Sequence, residues 1–245
     1  MDVMWAVLLG FTQGVTEFLP VSSSGHLVLL QSLVNNFQHP GVMFEAILHL
    51  GTLLAVLIYF HQVLIKLSLK YFLLLVVGTI PVVIFGAIFA DFFESLFDST
   101  KIVGVALIFT AIVNYFTWKE KRESKNLNLI SALIIGVAQT IAIVPGISRS
   151  GMTIFAGAKQ GIGKEKAAEF SFLLSIPAII GANILQFVKY GWSGDINFKV
   201  TAFGFIAAFV SGYVAIWLVF RMLSENKYRY FAVYALVVGI FALVL

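Results

Sequence analysis

Residues 13–27 read QGVTEFLPVSSSGHL, and residues 139–153 read QTIAIVPGISRSGMT. Each stretch runs from an apolar segment into a small, hydroxyl-rich turn. Each places polar groups where a chain buried in apolar surroundings should carry none. Between them they hold Glu17, His26, Arg149 and the serines Ser22, Ser23, Ser24, Ser148 and Ser150. Aligned at a constant offset of 126 residues, they share Gly10/Gly136, Gln13/Gln139, Ser22/Ser148, Ser24/Ser150 and Gly25/Gly151.

The surrounding chain is 60% hydrophobic and 11% charged, with a mean hydropathy of +0.98. Soluble domains carry roughly 25% charged residues, so this composition points to a polytopic membrane protein. The absence of cysteine excludes a disulfide framework, a zinc-finger site and thiol chemistry. The net charge of +4 belongs to loop lysines and arginines that set orientation, not to nucleic-acid binding. The N-terminus, MDVMWAVLLGF, has no positive region before its apolar run. It makes a poor signal peptide and is expected to stay in the mature protein.

Met4 to Phe18 is apolar but shorter than the ~20 residues a full span needs. The turn Pro20 to Gly25 follows, then a second short apolar run, Leu27 to Val34. Backbone this polar at membrane depth must be covered by protein, so the segment reads as a re-entrant helix–turn–helix, with one long broken span as the alternative. Full spans are expected at about 43–60, 70–90 and 101–118. The second half repeats the plan, with an apolar run Leu127 to Val144, the turn Pro145 to Gly151, a return Met152 to Ala158, and spans at about 167–188, 200–220 and 230–245. Positive-inside orientation puts the basic segments 61–69, 119–126, Lys159/Lys164/Lys166 and Arg221/Lys227/Arg229 in the cytoplasm, and the acidic loop 91–100 outside.

The fold class expected is therefore an all-α polytopic membrane protein of two inverted-topology repeats, each a re-entrant hairpin plus three transmembrane helices. Repeat 1 covers about 1–118, the basic linker 119–126, and repeat 2 about 127–245, within one integral membrane domain. Three spans is an odd number, so the halves insert oppositely, both termini lie outside the cytoplasm, and the two polar turns can meet near the midplane.

Ionisable groups inside a membrane are costly and by default mark function. Here they are Glu17, His26, Glu45, His49 and Arg149, with Glu169 nearer an edge. A structural role is the plainer alternative: Arg149 pairing with Glu17 to pin the hairpins, or Glu45 and His49 as interhelical contacts. PGISRSG suits an oxyanion. Its glycines allow close backbone approach, Ser148 and Ser150 supply hydroxyls, a helix start adds a positive dipole end, and Arg149 offers a forked cation. The opposite turn brings a hydroxyl (Ser23), an imidazole (His26) and a carboxylate (Glu17), which are candidates for nucleophile, acid or base, and metal ligand or proton carrier. Gln13 and Glu17, four apart, share a helix face, and Ser23 and His26, three apart, can lie together.

EFLPVSSSGH (Glu17 to His26) and PGISRSGMT (Pro145 to Thr153) resemble the two signatures of the undecaprenyl-pyrophosphate phosphatase family, whose members confer bacitracin resistance. The resemblance extends through FEAILHLGT (Phe44 to Thr52) and SFLLSIP (Ser171 to Pro177) to essentially the whole chain. It implies an integral membrane hydrolase of the bacterial cell membrane. Such an enzyme removes the terminal phosphate of a C55 polyprenyl diphosphate on the extracytoplasmic face and recycles the carrier for peptidoglycan synthesis. By the same resemblance Glu17, Ser23, His26 and Arg149 would be catalytic. Ser148, Arg149, Ser150, Thr153 and Ser22 would hold phosphate, and Glu17 with Gln13 would hold a divalent cation, Mg²⁺ or Ca²⁺. Many members carry glutamate where this chain has Gln13, which puts a two-carboxylate metal site in doubt and leaves one carboxylate plus substrate phosphates. A homodimer is an expectation from the resemblance alone.

The nucleophile stays open among Ser23, His26 and water. A transporter or flippase of polyprenyl phosphate is the rival class, because inverted repeats with broken helices also build secondary transporters. A membrane scaffold gives no reason for the paired polar turns.

Overall fold

The computed structural model describes residues 2–33, 42–120, 125–191 and 197–245. Val34, at the end of the expected return run, and residues 121–124 of the basic linker lie outside the described residues. The described residues form α1 (Val3–Phe18), α2 (Ser23–Ser32), α3 (Val42–Tyr59), α4 (His61–Ile65), α5 (Leu69–Ile88), α6 (Ala90–Ser95), α7 (Thr100–Lys119), α8 (Leu129–Ile141), α9 (Arg149–Lys159), α10 (Lys164–Tyr190), α11 (Phe198–Ser224) and α12 (Arg229–Val244). A short 3₁₀ turn, Leu96–Asp98, separates α6 from α7.

Helices 69–88, 100–119, 164–189 and 198–224 are long and apolar enough to cross a membrane, while the apolar helices 3–18, 43–59, 129–141 and 229–244 are shorter. The protein is a multi-pass membrane protein. Its lipid-facing surface is apolar, with Val83, Ile84 and Phe85 on α5 and Val233, Val237 and Ile240 on α12 all exposed. Polar side chains are turned inward: Gln13, Thr52, Thr110, Asn114, Gln139, Ser150 and Ser175 are buried.

Both expected hairpins form, but each polar turn is shorter than the sequence indicated. Helix α2 begins at Ser23 and α9 at Arg149, so both residues sit in a first helical turn. The cause is capping. The Ser22 hydroxyl accepts the Gly25 N–H (3.3 Å) and the Ser148 hydroxyl accepts the Gly151 N–H (3.1 Å), satisfying donors that a helix start leaves unpaired.

Each hairpin packs across into the other half: α1 lies along α11 and α8 along α5, while α7 pairs with α12 and α3 with α10. The close approaches are made by glycine. Gly10 abuts the Gly204 carbonyl, and Gly136 abuts the Gly78 carbonyl. Both members of these two pairs are separated by the same 126 residues, so one contact is reproduced in the other half. Without water-driven burial between apolar helices, such backbone-to-backbone packing is what association in lipid relies on.

Candidate active site at the meeting of the two hairpins

The two turns touch. A side chain at Gly25 would lie 3.1 Å from the Gly146 Cα. Gly146 has φ +94° and sits against the Val103 carbonyl and Ala106, so both its conformation and its surroundings require glycine. Ser22, with φ 70°, holds a left-handed conformation without being glycine; such strain persists only where surrounding bonds fix it. Helix α7 holds both turns. The Thr110 hydroxyl donates to the Gly146 carbonyl (2.9 Å) and accepts the Ser148 N–H (3.0 Å). Asn114 Nδ2 donates to the Pro20 carbonyl (2.5 Å), and Ser150 Oγ donates to the Leu19 carbonyl (3.2 Å).

On this frame four side chains converge. Arg149 Nη2 lies 2.6 Å from Glu17 Oε1, and its Nη1 donates to the Ser171 carbonyl at 3.2 Å. Ser23 Oγ donates to Glu17 Oε2 at 2.7 Å, and Gln13 Nε2 donates to the same oxygen at 3.1 Å. The side chains of Arg149 and Glu17 are only 16% and 9% exposed. A shielded ion pair of this kind holds its geometry when further bonds fix its members, as Ser23 and Gln13 fix Glu17 and the Ser171 carbonyl fixes Arg149. His49 on α3 lies within electrostatic reach of the same carboxylate. Its Nδ1 bonds the Glu45 carbonyl (2.9 Å), and Glu45 Oε1 accepts Gln31 Nε2 (3.1 Å), a link between α3 and α2.

The expected pairing of Ser23 with His26 is not made. Ser23 turns to Glu17, whereas His26 Nδ1 lies 2.8 Å from the Ser22 carbonyl and its Nε2 lies 2.9 Å from the Tyr234 hydroxyl on α12. The spacing of three residues puts both on one side of α2, but their partners come from different helices. Ser22, Ser148, Ser150 and Thr153, expected on phosphate, are buried and engaged in the frame. Ser148 and Ser150 face each other at 3.2 Å, as Ser22 and Ser24 do at the same distance. Thr153 Oγ1 lies 2.6 Å from Ser171 Oγ and donates to the Arg149 carbonyl at 2.8 Å. The half-buried groups that reach the meeting point are Glu17, Ser23, Ser24, His26 and Arg149.

Thr110, Asn114 and Tyr234 were not identified from sequence. A signal for the first two existed: a threonine and an asparagine four apart on one face of an apolar span. Tyr234 carries none.

The donors for a divalent ion are sparse. Both Glu17 oxygens are committed, one to Arg149 and the other to Ser23 and Gln13. Gln13 Oε1 is buried without a partner, but an amide oxygen adds no charge. Among the described residues no cluster of three or more acidic, histidine or cysteine side chains is suited to a metal. These residues do not make a resident metal site, because a cation would compete with the Arg149 guanidinium for the same carboxylate.

The chain resembles known proteins over nearly its whole length. The family model for bacitracin resistance protein BacA matches residues 6–241. A protein named undecaprenyl-diphosphatase from Carboxydothermus hydrogenoformans is 40% identical over 256 residues, covering 100% of this chain and 98% of the relative. One named undecaprenyl-diphosphatase 3 from Bacillus cereus is 41% identical, and an undecaprenyl-diphosphatase from Methanosphaera stadtmanae is 37% identical, each with 100% of this chain and 98% of the relative covered. With a family match over nearly its whole length, and its two signature turns brought together in one site, this chain belongs to the bacitracin resistance protein BacA family.

Proposed function

We propose that this protein hydrolyses undecaprenyl diphosphate to undecaprenyl phosphate and inorganic phosphate, recycling the lipid carrier for peptidoglycan synthesis and conferring bacitracin resistance. The observation that carries the chemistry is the continuous chain Ser23–Glu17–Arg149, which joins one hairpin to the other. The relatives named above are all diphosphatases, and the transporter alternative finds no support among them.

In this mechanism Arg149 directs its remaining N–H donors at the diphosphate. The N-termini of α2 and α9, which begin where the turns meet, add backbone N–H groups and positive dipole ends. As the guanidinium turns to phosphate, Glu17 is released to take the Ser23 proton. Ser23 Oγ bonds to the terminal phosphorus. The bridging P–O bond breaks, and its electron pair leaves with undecaprenyl phosphate. Water then attacks the phosphoserine and gives a proton to His26 Nε2, which passes it on to solvent. Glu17 returns its proton to Ser23 Oγ as inorganic phosphate departs. Ser23 rather than His26 is taken as the nucleophile because its hydroxyl already donates to Glu17, the group that takes its proton. Ser22, Ser148, Ser150 and Thr153 serve phosphate binding indirectly, by fixing the turns. A divalent ion, Mg²⁺ or Ca²⁺, would enter on the substrate's own phosphates.

The whole chain acts as one membrane domain of two inverted repeats about the linker 119–126. The duplicated glycine contact and the crossed packing of the hairpins support that plan. The site opens to the extracytoplasmic side, with both termini on that side. Every group the mechanism uses comes from one chain, so it needs no second copy.

The test is inorganic phosphate released from a polyprenyl diphosphate by purified protein in detergent, with and without Mg²⁺ or Ca²⁺. Ser23→Ala, Glu17→Ala and Arg149→Ala should each lower turnover at least ~10³-fold, as removal of a nucleophile, its base or its charge clamp does. Substrate binding without phosphate release under any ion would overturn the hydrolase. Full activity of Ser23→Ala would overturn serine attack.

A further inference from the structure

The His26 ring is held at both nitrogens. The Ser22 carbonyl, 2.8 Å from Nδ1, can only accept, so Nδ1 carries the proton. In the neutral ring Nε2 then holds the lone pair, and the Tyr234 hydroxyl, 2.9 Å away, donates to it. The two ring planes are 4° from parallel, with centroids 5.5 Å apart, so the rings lie side by side across this bond. The carbonyl that selects the tautomer belongs to Ser22, the residue held at φ 70° by its own capping bond. A strained turn and a hydrogen bond from a helix far along the chain thus converge on one imidazole.

Resting on the diphosphatase mechanism above, we infer that Tyr234 is a positioning residue for the hydrolysis, holding His26 with its Nε2 lone pair ready for the proton of the attacking water. The phenol suits both halves of that cycle. It donates to neutral Nε2, and by rotating its O–H it accepts from Nε2–H once the proton has arrived. When the hydroxyl yields its place to water, the Nδ1–H bond to the Ser22 carbonyl keeps the ring plane. Phenylalanine keeps the ring and loses only the hydroxyl bond, so the substitution tests that bond with little change of shape.

The experiment compares native protein, Tyr234→Phe, His26→Ala and the double variant, each purified in detergent, by phosphate release from a polyprenyl diphosphate under single- and multiple-turnover conditions. Tyr234→Phe should keep its thermal midpoint and KM and lose about tenfold in kcat, the scale on which misplacing a proton-transfer group acts. In the His26→Ala background the same substitution should change the rate by less than about twofold, because groups acting as a unit are non-additive. Native kcat in Tyr234→Phe, a raised kcat, or an undiminished loss in the His26→Ala background would each overturn the inference. A native protein that releases no phosphate would instead remove the diphosphatase mechanism, and the two failures are told apart by that control.

Discussion

Glu17 is the residue on which the site turns, because its two oxygens serve three partners. Oε1 faces a guanidinium, and Oε2 accepts from a hydroxyl and an amide. Arg149→Lys would leave a single point charge where a fork now reaches both Glu17 and the Ser171 carbonyl. Phosphate release should fall about 100-fold, with most of the loss in kcat, because a lysine bound to Glu17 has no second arm for the transferred phosphoryl group. Gln13→Glu tests the metal question directly. The amide now donates to Glu17; a carboxylate there would face it at about the same 3.1 Å. Two adjacent carboxylates repel unless a cation lies between them. The variant should therefore be less active without divalent ion and reach half-maximal activity at a severalfold lower Mg²⁺ concentration, read from a titration after chelation. An unchanged Mg²⁺ dependence would show that this face of Glu17 never meets an ion. At this scale the charged groups were legible in sequence, since Glu17 and Arg149 stand out against an apolar background. The partners of His26 were not. Tyr234 is one aromatic residue in an apolar helix, and nothing local ties it to a residue 208 positions earlier.

Among the elements, α7 is the brace. Its Thr110 joins the second turn through both an accepted and a donated bond, and its Asn114 joins the first. The hairpins α1–α2 and α8–α9 are too short to span alone, and their turns carry backbone groups that lipid cannot satisfy. Thr110→Val keeps the shape and removes both hydroxyl bonds, leaving the buried Gly146 carbonyl and Ser148 N–H short of a partner. The cost should be about 1–3 kcal/mol, seen as a lower thermal midpoint in detergent, with turnover falling because Ser148 caps the helix that begins at Arg149. A native midpoint and native rate would mean that the turns are held without α7. The existence and order of the elements were readable from hydropathy and turn residues. The helix starts at Ser23 and Arg149 were misplaced because a serine that caps a helix and a serine in a loop look alike in sequence. The same ambiguity covers Ser148 and Ser150, whose hydroxyls bond backbone and each other, while the phosphate role of Thr153 came from the resemblance alone and its hydroxyl bonds the Arg149 carbonyl and Ser171.

Over the whole molecule, charge sorts to the two ends of α10. At its start Lys164 Nζ donates to the Trp118 carbonyl (2.7 Å), Lys159 pairs with Glu120 (2.6 Å), Lys125 N–H bonds the Gly161 carbonyl (3.0 Å), and Arg229 lies over the Trp118 ring. The ends of α7 and α9 and the starts of α10 and α12 thus form one basic end. At the far end of α10 Lys189 holds Asp91 (2.7 Å) and Glu94 (2.9 Å), and its ammonium keeps the exposed Asp91 carboxyl below the ordinary range. The proposed orientation puts the basic end in the cytoplasm and the Asp91 end outside, as positive-inside sorting expects. The chain has no cysteine, so single cysteines report their side without background. Asp98→Cys and Lys199→Cys should react with a membrane-impermeant maleimide in intact cells, and Lys66→Cys and Lys227→Cys only after permeabilisation; all four side chains are exposed. Reversed labelling would invert the orientation and turn the site to the cytoplasm. Labelling of all four from one side would break the proposed odd number of spans per half, and with it the proposed inverted relation of the two halves.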